Sequence, residues 1–273
     1  MTLDILFCTH NSRIVRLPDL LMEPDEQIHY IVSFQYTKDE YLDLIPKVLT
    51  ERKDVTFIKI KGKGLSENRN NALKYATSDL VYIADDDVRF LPMMKQTVTS
   101  VFESFPDGID IALFQAQTYA GRNLREYSMT EGPCNNFKDL LSVLTIEMVC
   151  RREKIQSLRF DPRFGLGSDA LSCYEEQVWL ADALRNELKV CYIAQPIVQT
   201  SAIYVPRMFY VDPKVQRSFG ALLYYEYGWR AYAKSVLAAL DATRRRFAHL
   251  IPVLSRLYEG IDYIRRTPKN SDK

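Results

Sequence analysis

Through its first ninety residues the chain alternates short apolar runs with longer stretches where apolar residues recur every three or four positions. Leu3 to Cys8, Ile28 to Phe34, Val55 to Ile60 and Leu80 to Ala84 have the length and the aliphatic, aromatic content of buried strands. Between them, Lys38 to Lys53 and Glu67 to Thr77 are expected as helices, the second opened by Ser66 as an N-cap. That order predicts βαβ units, and hence an α/β fold with a mostly parallel central sheet flanked by helices. Open sheets of this kind bind ligands beyond the carboxyl ends of their strands. Thr9-His10-Asn11, Ser33 to Tyr36, Gly62 to Ser66 and Asp85 to Asp87 are therefore expected to converge on one crevice.

Beyond Phe90 the alternation weakens. The pattern predicts a helix from about Pro92 to Phe105, a strand near Ile109 to Gln115, a polar loop from Gln117 to Asn136 and a strand over Thr145 to Cys150. Phe160 to Gly167 contains two closely spaced glycines and reads as a flexible loop, continued by Ser168 to Ser172 into a helix from about Tyr174 to Glu187. Val178, Ala181, Leu184 and Leu188 mark that helix's buried side, and Glu175 and Glu176 occupy its first turn. From Arg207 the chain becomes aromatic and basic, with thirteen Lys and Arg against six Asp and Glu, and looks mainly helical. These changes divide the chain into segments 1–95, 96–206 and 207–273, the last a helical, basic C-terminal appendage.

Composition narrows the classes. With 273 residues, 47% of them hydrophobic and 26% charged, the chain can bury a full core. A formal net charge of +1 supplies no global field for a nucleic-acid backbone, so no nucleic-acid partner is expected. Cys8, Cys134, Cys150, Cys173 and Cys191 are odd in number and contain no CxxC pair, which fits buried thiols in a reducing compartment. The N-terminus MTLDILFCTH lacks the basic start and long apolar stretch of a signal peptide, and no run reaches the roughly eighteen apolar residues of a spanning helix. A cytoplasmic location is expected.

Three consecutive aspartates, Asp85-Asp86-Asp87, follow the apolar strand Leu80 to Ala84. Like charges this close cost roughly a few kcal/mol per pair near a surface, unless a cation lies among them. Carboxylate oxygens suit Mg²⁺ and Mn²⁺, which keep positions for water and substrate phosphate. A metal carrying a diphosphate is one reading and a solvated acidic turn the other; delivery by a fully apolar strand to the ligand-binding edge favours the first. Gly62 to Asn70 joins a strand to a helix through a glycine-containing loop that can approach a phosphate or a base, and Arg69 adds a planar cationic fork. Glu175 and Glu176 are either complements of their helix dipole or a base that takes a hydroxyl proton, with Glu176 as the base and Glu175 as its acceptor-binding neighbour. The three histidines, His10, His29 and His249, stand near no nucleophile motif, so Ser/His/Asp catalysis is set aside.

Taken together these segments resemble the family 2 glycosyltransferases and their GT-A relatives. The family's opening strand and Pro-Thr-Tyr-Asn-like turn is similar to Ile5-Leu6-Phe7-Cys8-Thr9-His10-Asn11. Its Gly-Leu-Ser-x-x-Arg-Asn stretch resembles Gly64-Leu65-Ser66-Glu67-Asn68-Arg69-Asn70, its DxD motif looks like Asp85-Asp86-Asp87, and its Glu-Asp pair resembles Glu175-Glu176. The likeness covers about residues 3 to 200 in the family's order. It implies a GT-A (Rossmann-like) domain, with 1–95 the nucleotide-sugar-binding half and 96–206 the acceptor-binding half. It also implies an inverting transfer of sugar from a UDP-sugar to an acceptor hydroxyl, in cell-surface polysaccharide or glycolipid synthesis, with Mn²⁺ or Mg²⁺ as cofactor. Thr9, Ser33, Gln35, Arg69, Asp85 and Asp86 would bind the nucleotide-sugar, Asp87 with Asp85 the metal, and Glu176 with Glu175 would serve catalysis. Three departures stand out: Val32-Ser33-Phe34-Gln35 replaces an Asp-Asp-Gly-Ser turn, Gln199 is the nearest candidate for a frequent histidine, and Glu-Glu replaces Glu-Asp.

The implied acceptor is a saccharide or a lipid-linked one. The basic, aromatic tail fits either a helix lying on an anionic membrane, at the inner face, or a cap packed on the catalytic domain. Two other functions compete. A nucleotidyltransferase of related fold would carry a glycine- and lysine-rich loop after the first strand, which Thr9-His10-Asn11-Ser12-Arg13 is not. A catalytically silent nucleotide-sugar-binding protein is the other.

Overall fold

The computed structural model describes residues 1–105, 108–201 and 208–269; the expected boundary at 206/207 lies outside the described residues. Two compact units are present. The first comprises the described residues of Met1–Lys63, Asn68–Arg159 and Asp182–Tyr204, and the second those of Gly64–Glu67, Phe160–Ala181 and Val205–Lys273.

The first unit is built on a nine-stranded sheet. Strands β1 (Leu3–His10), β2 (Ile28–Tyr36), β3 (Val55–Lys61) and β4 (Leu80–Ala84) realise the four expected runs. They lie in the order β3-β2-β1-β4, all parallel. The sheet continues through β8 (Met148–Arg151), β6 (Ile111–Thr118), β9 (Val190–Thr200) and β5 (Val88–Phe90), with β7 (Gly132–Pro133) paired on β9. Here β8 runs antiparallel to both β4 and β6, while β6 and β9 are parallel. The register sets His10 beside Gln35, Gln35 beside Ile60 and Phe7 beside Ala84, so the carboxyl ends of β1 to β4 share one edge.

Burial explains why these runs became strands. Leu3, Ile5, Phe7, Val32, Phe34, Leu80, Tyr82 and Phe114 are fully buried in one apolar cluster. Asp4 of β1 is also fully buried, and its carboxylate accepts Thr77 N–H at 2.6 Å, Ser78 N–H at 2.8 Å and the Ser78 hydroxyl at 2.8 Å. Those three bonds tie down the turn that leads into β4 and offset the cost of burying a carboxylate.

Several expected boundaries move. The helix predicted over Lys38 to Lys53 is two short pieces, a 3₁₀ segment Asp39–Leu44 and helix α1 (Val48–Glu51). Pro46 separates them: its ring disfavours a helical residue before it, and Ile45 is extended. Helix α2 (Leu65–Leu73) starts at Leu65, so Ser66 lies within it rather than capping it, and its hydroxyl donates to the Phe164 carbonyl at 2.7 Å. Helix α3 (Met94–Ser104) forms where expected, and the short α4 (Phe137–Leu140) follows the polar stretch. The strand predicted from Thr145 begins only at Met148, because Thr145–Glu147 is a 3₁₀ turn. Glu147, fully buried, holds that turn: its carboxylate accepts Leu144 N–H at 3.1 Å, the Tyr127 hydroxyl at 2.6 Å and Arg125 at 2.8 and 3.1 Å.

The second unit contains the start of helix α5 (Glu175–Arg185) and the C-terminal helices α6 (Met208–Val211), α7 (Pro213–Tyr227), α8 (Ala231–Arg244) and α9 (Leu250–Arg266). Asp212 caps α7 by accepting Lys214 N–H at 2.7 Å, with Pro213 in the first turn, and Gly228 ends it at a φ of 55°. Helices α7 and α9 meet at Gly220 and Gly260, where an added Cβ would overlap the carbonyl oxygens of Leu257 and Arg217 respectively. No helix among the described residues is long and apolar enough to cross a membrane.

Candidate active site

The acidic triplet follows β4 directly, at the shared carboxyl edge of the parallel strands. Its three carboxylates have different surroundings. Asp86 is buried and accepts the Thr9 hydroxyl at 2.6 Å and Arg13 Nε at 2.8 and 2.9 Å, and Arg13 Nη2 bonds the same carboxylate. Asp85, 45% exposed, accepts Nη2 of the buried Arg69 at 3.3 Å. The Asp87 carboxylate is 28% exposed, with the Ser201 hydroxyl at 3.3 Å and Arg13 Nη2 at 3.8 Å. Its backbone carbonyl accepts the Tyr119 hydroxyl at 2.8 Å. Three carboxylates thus face two guanidinium groups, and the mutual repulsion anticipated from sequence is largely but not fully offset by side chains.

Local backbone puts Arg13 there. Asn11 adopts a left-handed φ of 47°, a conformation asparagine tolerates, and its side-chain carbonyl accepts the Thr37 N–H at 3.0 Å and hydroxyl at 3.2 Å. A 3₁₀ segment, Asn11–Leu20, starts at that residue and carries Arg13 back over the strand ends. The only signal in the sequence was a cation four residues after Thr9, in a turn noted merely for lacking glycine and lysine.

Gln35 and Ser33, also expected at the nucleotide, have different surroundings. Gln35 is 4% exposed at the end of β2, and Gly62, at a φ of 149°, leaves the space beside its amide open enough that a Cβ would stand 3.8 Å from Nε2. Ser33 is fully buried, and its hydroxyl accepts Asn71 Nδ2 at 2.9 Å, fastening β2 to α2. Asn68, which sequence reasoning passed over, donates Nδ2 to the Thr9 carbonyl at 3.1 Å while its buried Oδ1 has no partner among the described residues. Beneath the triplet, burial pushes the Cys8 thiol up to about 12, so it is protonated at neutral pH and supplies no nucleophile. Gln199 lies opposite Arg89 where β9 meets β5, one register step from the pair Val88 and Thr200.

Glu175 and Glu176 belong to the second unit. Tyr174, immediately before them, holds a φ of 75°, a left-handed conformation that is unusual for a bulky residue. Glu175 is 6% exposed, and a Cβ at Gly165 (φ 98°) would lie 3.0 Å from its carboxyl carbon and 3.2 Å from Ser66 Oγ. Glycine is required at 165 both for its conformation and for this close approach. The loop is further pinned by Leu65 N–H to the Leu166 carbonyl at 2.8 Å and by Asp161 with Arg163 Nη2 at 2.6 Å. Glu176 is half-buried on the first turn of α5. Ser66 and Glu175, about a hundred residues apart in the chain, thus approach one loop.

Among the described residues no group of three or more His, Cys, Asp or Glu side chains converges as a metal cage. The donor set nonetheless fits a divalent cation that arrives with its ligand: Mg²⁺-type sites use one or two carboxylates and take the rest from substrate phosphate and water. Asp87 and Asp85 retain exposed oxygen for that purpose, whereas the Asp86 carboxylate is engaged by Thr9 and Arg13. A separate cavity of about 510 Å³, lined by Arg125, Ser128, Thr130, Lys138 and Tyr192 among others, touches none of the expected site residues.

The sequence profile described as Glycosyl transferase family 2 matches residues 4–163. No curated protein matches the chain. Among solved structures, S. aureus TarS 1-349 superposes with a TM-score of 0.62 at 13% identity, covering 97% of this chain and 92% of that one. TarS 1-349 in complex with UDP-GlcNAc gives 0.59 at 13% identity over the same shares, 97% and 92%. Glucosyl-3-phosphoglycerate synthase from Mycobacterium tuberculosis, in complex with Mn²⁺, UDP and phosphoglyceric acid, gives 0.53 at 14% identity, covering 83% of this chain and 78% of that one. At such identities the likeness establishes the fold, a GT-A arrangement with a helical C-terminal part.

Proposed function

The chain belongs to glycosyl transferase family 2, and from that premise we propose that it transfers a sugar from a UDP-sugar to an acceptor hydroxyl with inversion. The observation that carries this reading is the acidic strand end itself: Asp85 and Asp87 keep exposed oxygen beside two guanidinium groups, a charge arrangement suited to a metal-bound diphosphate. UDP-GlcNAc in one fold relative, and UDP with Mn²⁺ in another, support a uridine nucleotide and a divalent cation.

In this reading Arg69 and Gln35 meet the nucleotide, and Thr9 acts by orienting Asp86. Asp87, with Asp85, would hold the Mn²⁺ or Mg²⁺, which when bound offsets charge on the departing UDP. Glu176 takes the proton of the acceptor hydroxyl as that oxygen attacks the anomeric carbon, and Glu175 keeps the loop around Gly165 in place. The bond from the anomeric carbon to the β-phosphate oxygen breaks with its electron pair leaving on UDP. The product belongs to a cell-surface polysaccharide or glycolipid.

A panel of UDP-sugars incubated with acceptor extracts tests the reading. The expected result is UDP release that requires Mn²⁺ or Mg²⁺ and is abolished in Asp87→Ala. Donor binding with no turnover across the panel would favour a silent binding protein, and release of pyrophosphate from a nucleoside triphosphate with sugar phosphate would favour a nucleotidyltransferase.

A cytoplasmic enzyme with peripheral membrane contact completes the proposal. Trp229, Leu237, Leu240 and Ile251 are 75%, 68%, 48% and 78% exposed on the C-terminal helices, interspersed with Arg230, Arg244 and Arg245. Apolar and cationic residues in that mixture suit an anionic bilayer surface. The intact protein is expected to float with vesicles containing anionic lipid and not with neutral ones, and Leu237→Asp should abolish flotation. Equal flotation of wild type and variant would leave the helices as a packed cap.

A further inference from the structure

We propose that Arg13 is a diphosphate-binding residue, a cation that the fold presents at the strand edge to take phosphate oxygens of the donor; the inference rests on the donor reading above. Three observations lead to it. First, the guanidinium is held at two points: Nε and Nη2 both engage the buried carboxylate of Asp86, whose other support is the Thr9 hydroxyl. Second, the Arg13 side chain remains 39% exposed, while Asp86 is 5% exposed and the triplet's other cation, Arg69, only 3%. A guanidinium has five N–H donors, so a two-point hold on Asp86 leaves part of the fork available at the surface. Third, its next nearest anion is Asp87 at 3.8 Å, beyond hydrogen-bond distance. That weak contact is the one a phosphate can replace.

A partner serving only to neutralise Asp86 needs no position beyond that carboxylate. Here the carboxylate is buried and the cation faces out, beside the carboxylate assigned to the metal. A planar fork fixed from behind loses little further freedom on meeting a phosphate, and it matches phosphate oxygens in pairs. The positive charge then lies where negative charge grows as the sugar bond breaks, which favours the transition state over the bound donor.

The test compares wild type, Arg13→Gln, Arg13→Lys, Asp86→Asn and the double variant Arg13→Gln/Asp86→Asn. UDP affinity is measured by calorimetry in EDTA and in Mn²⁺, and uridine affinity by ligand-observed NMR. The double variant removes the uncompensated buried carboxylate, so the experiment stands even if Arg13→Gln alone fails to fold. A lost charge-assisted contact predicts a UDP affinity about tenfold to a hundredfold lower in Arg13→Gln than in wild type, and in the double variant than in Asp86→Asn alone, in EDTA as in Mn²⁺, with uridine affinity unchanged within each of these two pairs and Arg13→Lys intermediate. Equal loss for uridine and UDP overturns the proposal, because it marks a structural role through Asp86. Unchanged UDP affinity overturns it as well. Should the wild type bind no UDP in either medium, the donor reading fails and this inference falls with it.

Discussion

Replacing Glu176 by Gln is expected to lower kcat by about 10² to 10⁴ while leaving UDP affinity unchanged, since positioned general bases contribute on that order. The substitution keeps the shape of the side chain and removes only its ability to take a proton. The half-buried Glu176 sits on the first turn of α5, behind a residue, Tyr174, held at a φ of 75°. Backbone held in a sparsely populated region costs about 1–3 kcal/mol and persists where surrounding structure enforces it, which is frequent at working sites. Measuring kcat with saturating donor and acceptor, alongside UDP binding, separates a lost base from a lost binding contact. A kcat within about threefold of wild type would move the base elsewhere, and Glu175→Gln would then be the informative comparison.

The second large effect concerns stability. Gly260→Ala is expected to destabilise the second unit by about 3 kcal/mol, although alanine in an ordinary helix interior is better than glycine by about 1 kcal/mol. The sign is decided by space: a Cβ at position 260 would overlap the Arg217 carbonyl oxygen and lie 2.9 Å from Ala221 N, both backbone atoms of α7. Neither can swing away as a side-chain tip could, so the two helices must separate. Separation loosens the packing around Val253, Leu257 and Ile261, all fully buried. Gly220→Ala meets the same obstacle from the other side, against Leu257. Thermal unfolding should report a midpoint lower by on the order of 5–10 °C for either variant. Ser255→Ala, at an exposed position of the same helix, serves as the control and is expected to be neutral or slightly stabilising. A Gly260→Ala protein as stable as its parent would mean that α7 and α9 do not approach at these glycines.

The parts of the fold legible in the sequence are those set by neighbours along the chain. The run Leu80-Val81-Tyr82-Ile83-Ala84 is apolar throughout and short, as a strand buried on both faces is, and it is a buried strand with the bounds that its pattern suggests. Pro46 could have warned against one continuous helix over Lys38 to Lys53, because it constrains the residue before it whatever the tertiary context. Glu147 could not: an acidic residue in an apolar run looks like a flaw in a strand, until Arg125, Tyr127 and the Leu144 N–H are brought round it. Ser66 was misassigned for a similar reason. Before a helical stretch its hydroxyl suits an N-cap, and only the approach of Phe164 provides the competing acceptor.

By itself the sequence determined the α/β order, the acidic end of the fourth strand, the glycine loop with Arg69 and the glutamate pair opening a helix, since each follows from residue types within one short segment. Tertiary structure decided which charge answers which: Asp86 is met by Thr9 and Arg13 from 77 and 73 residues away, and Asp85 by Arg69. The physical reason is one of range. Burial periodicity is a property of a single element, whereas a carboxylate's partner depends on which distant segment the packed sheet brings within about 3 Å of it.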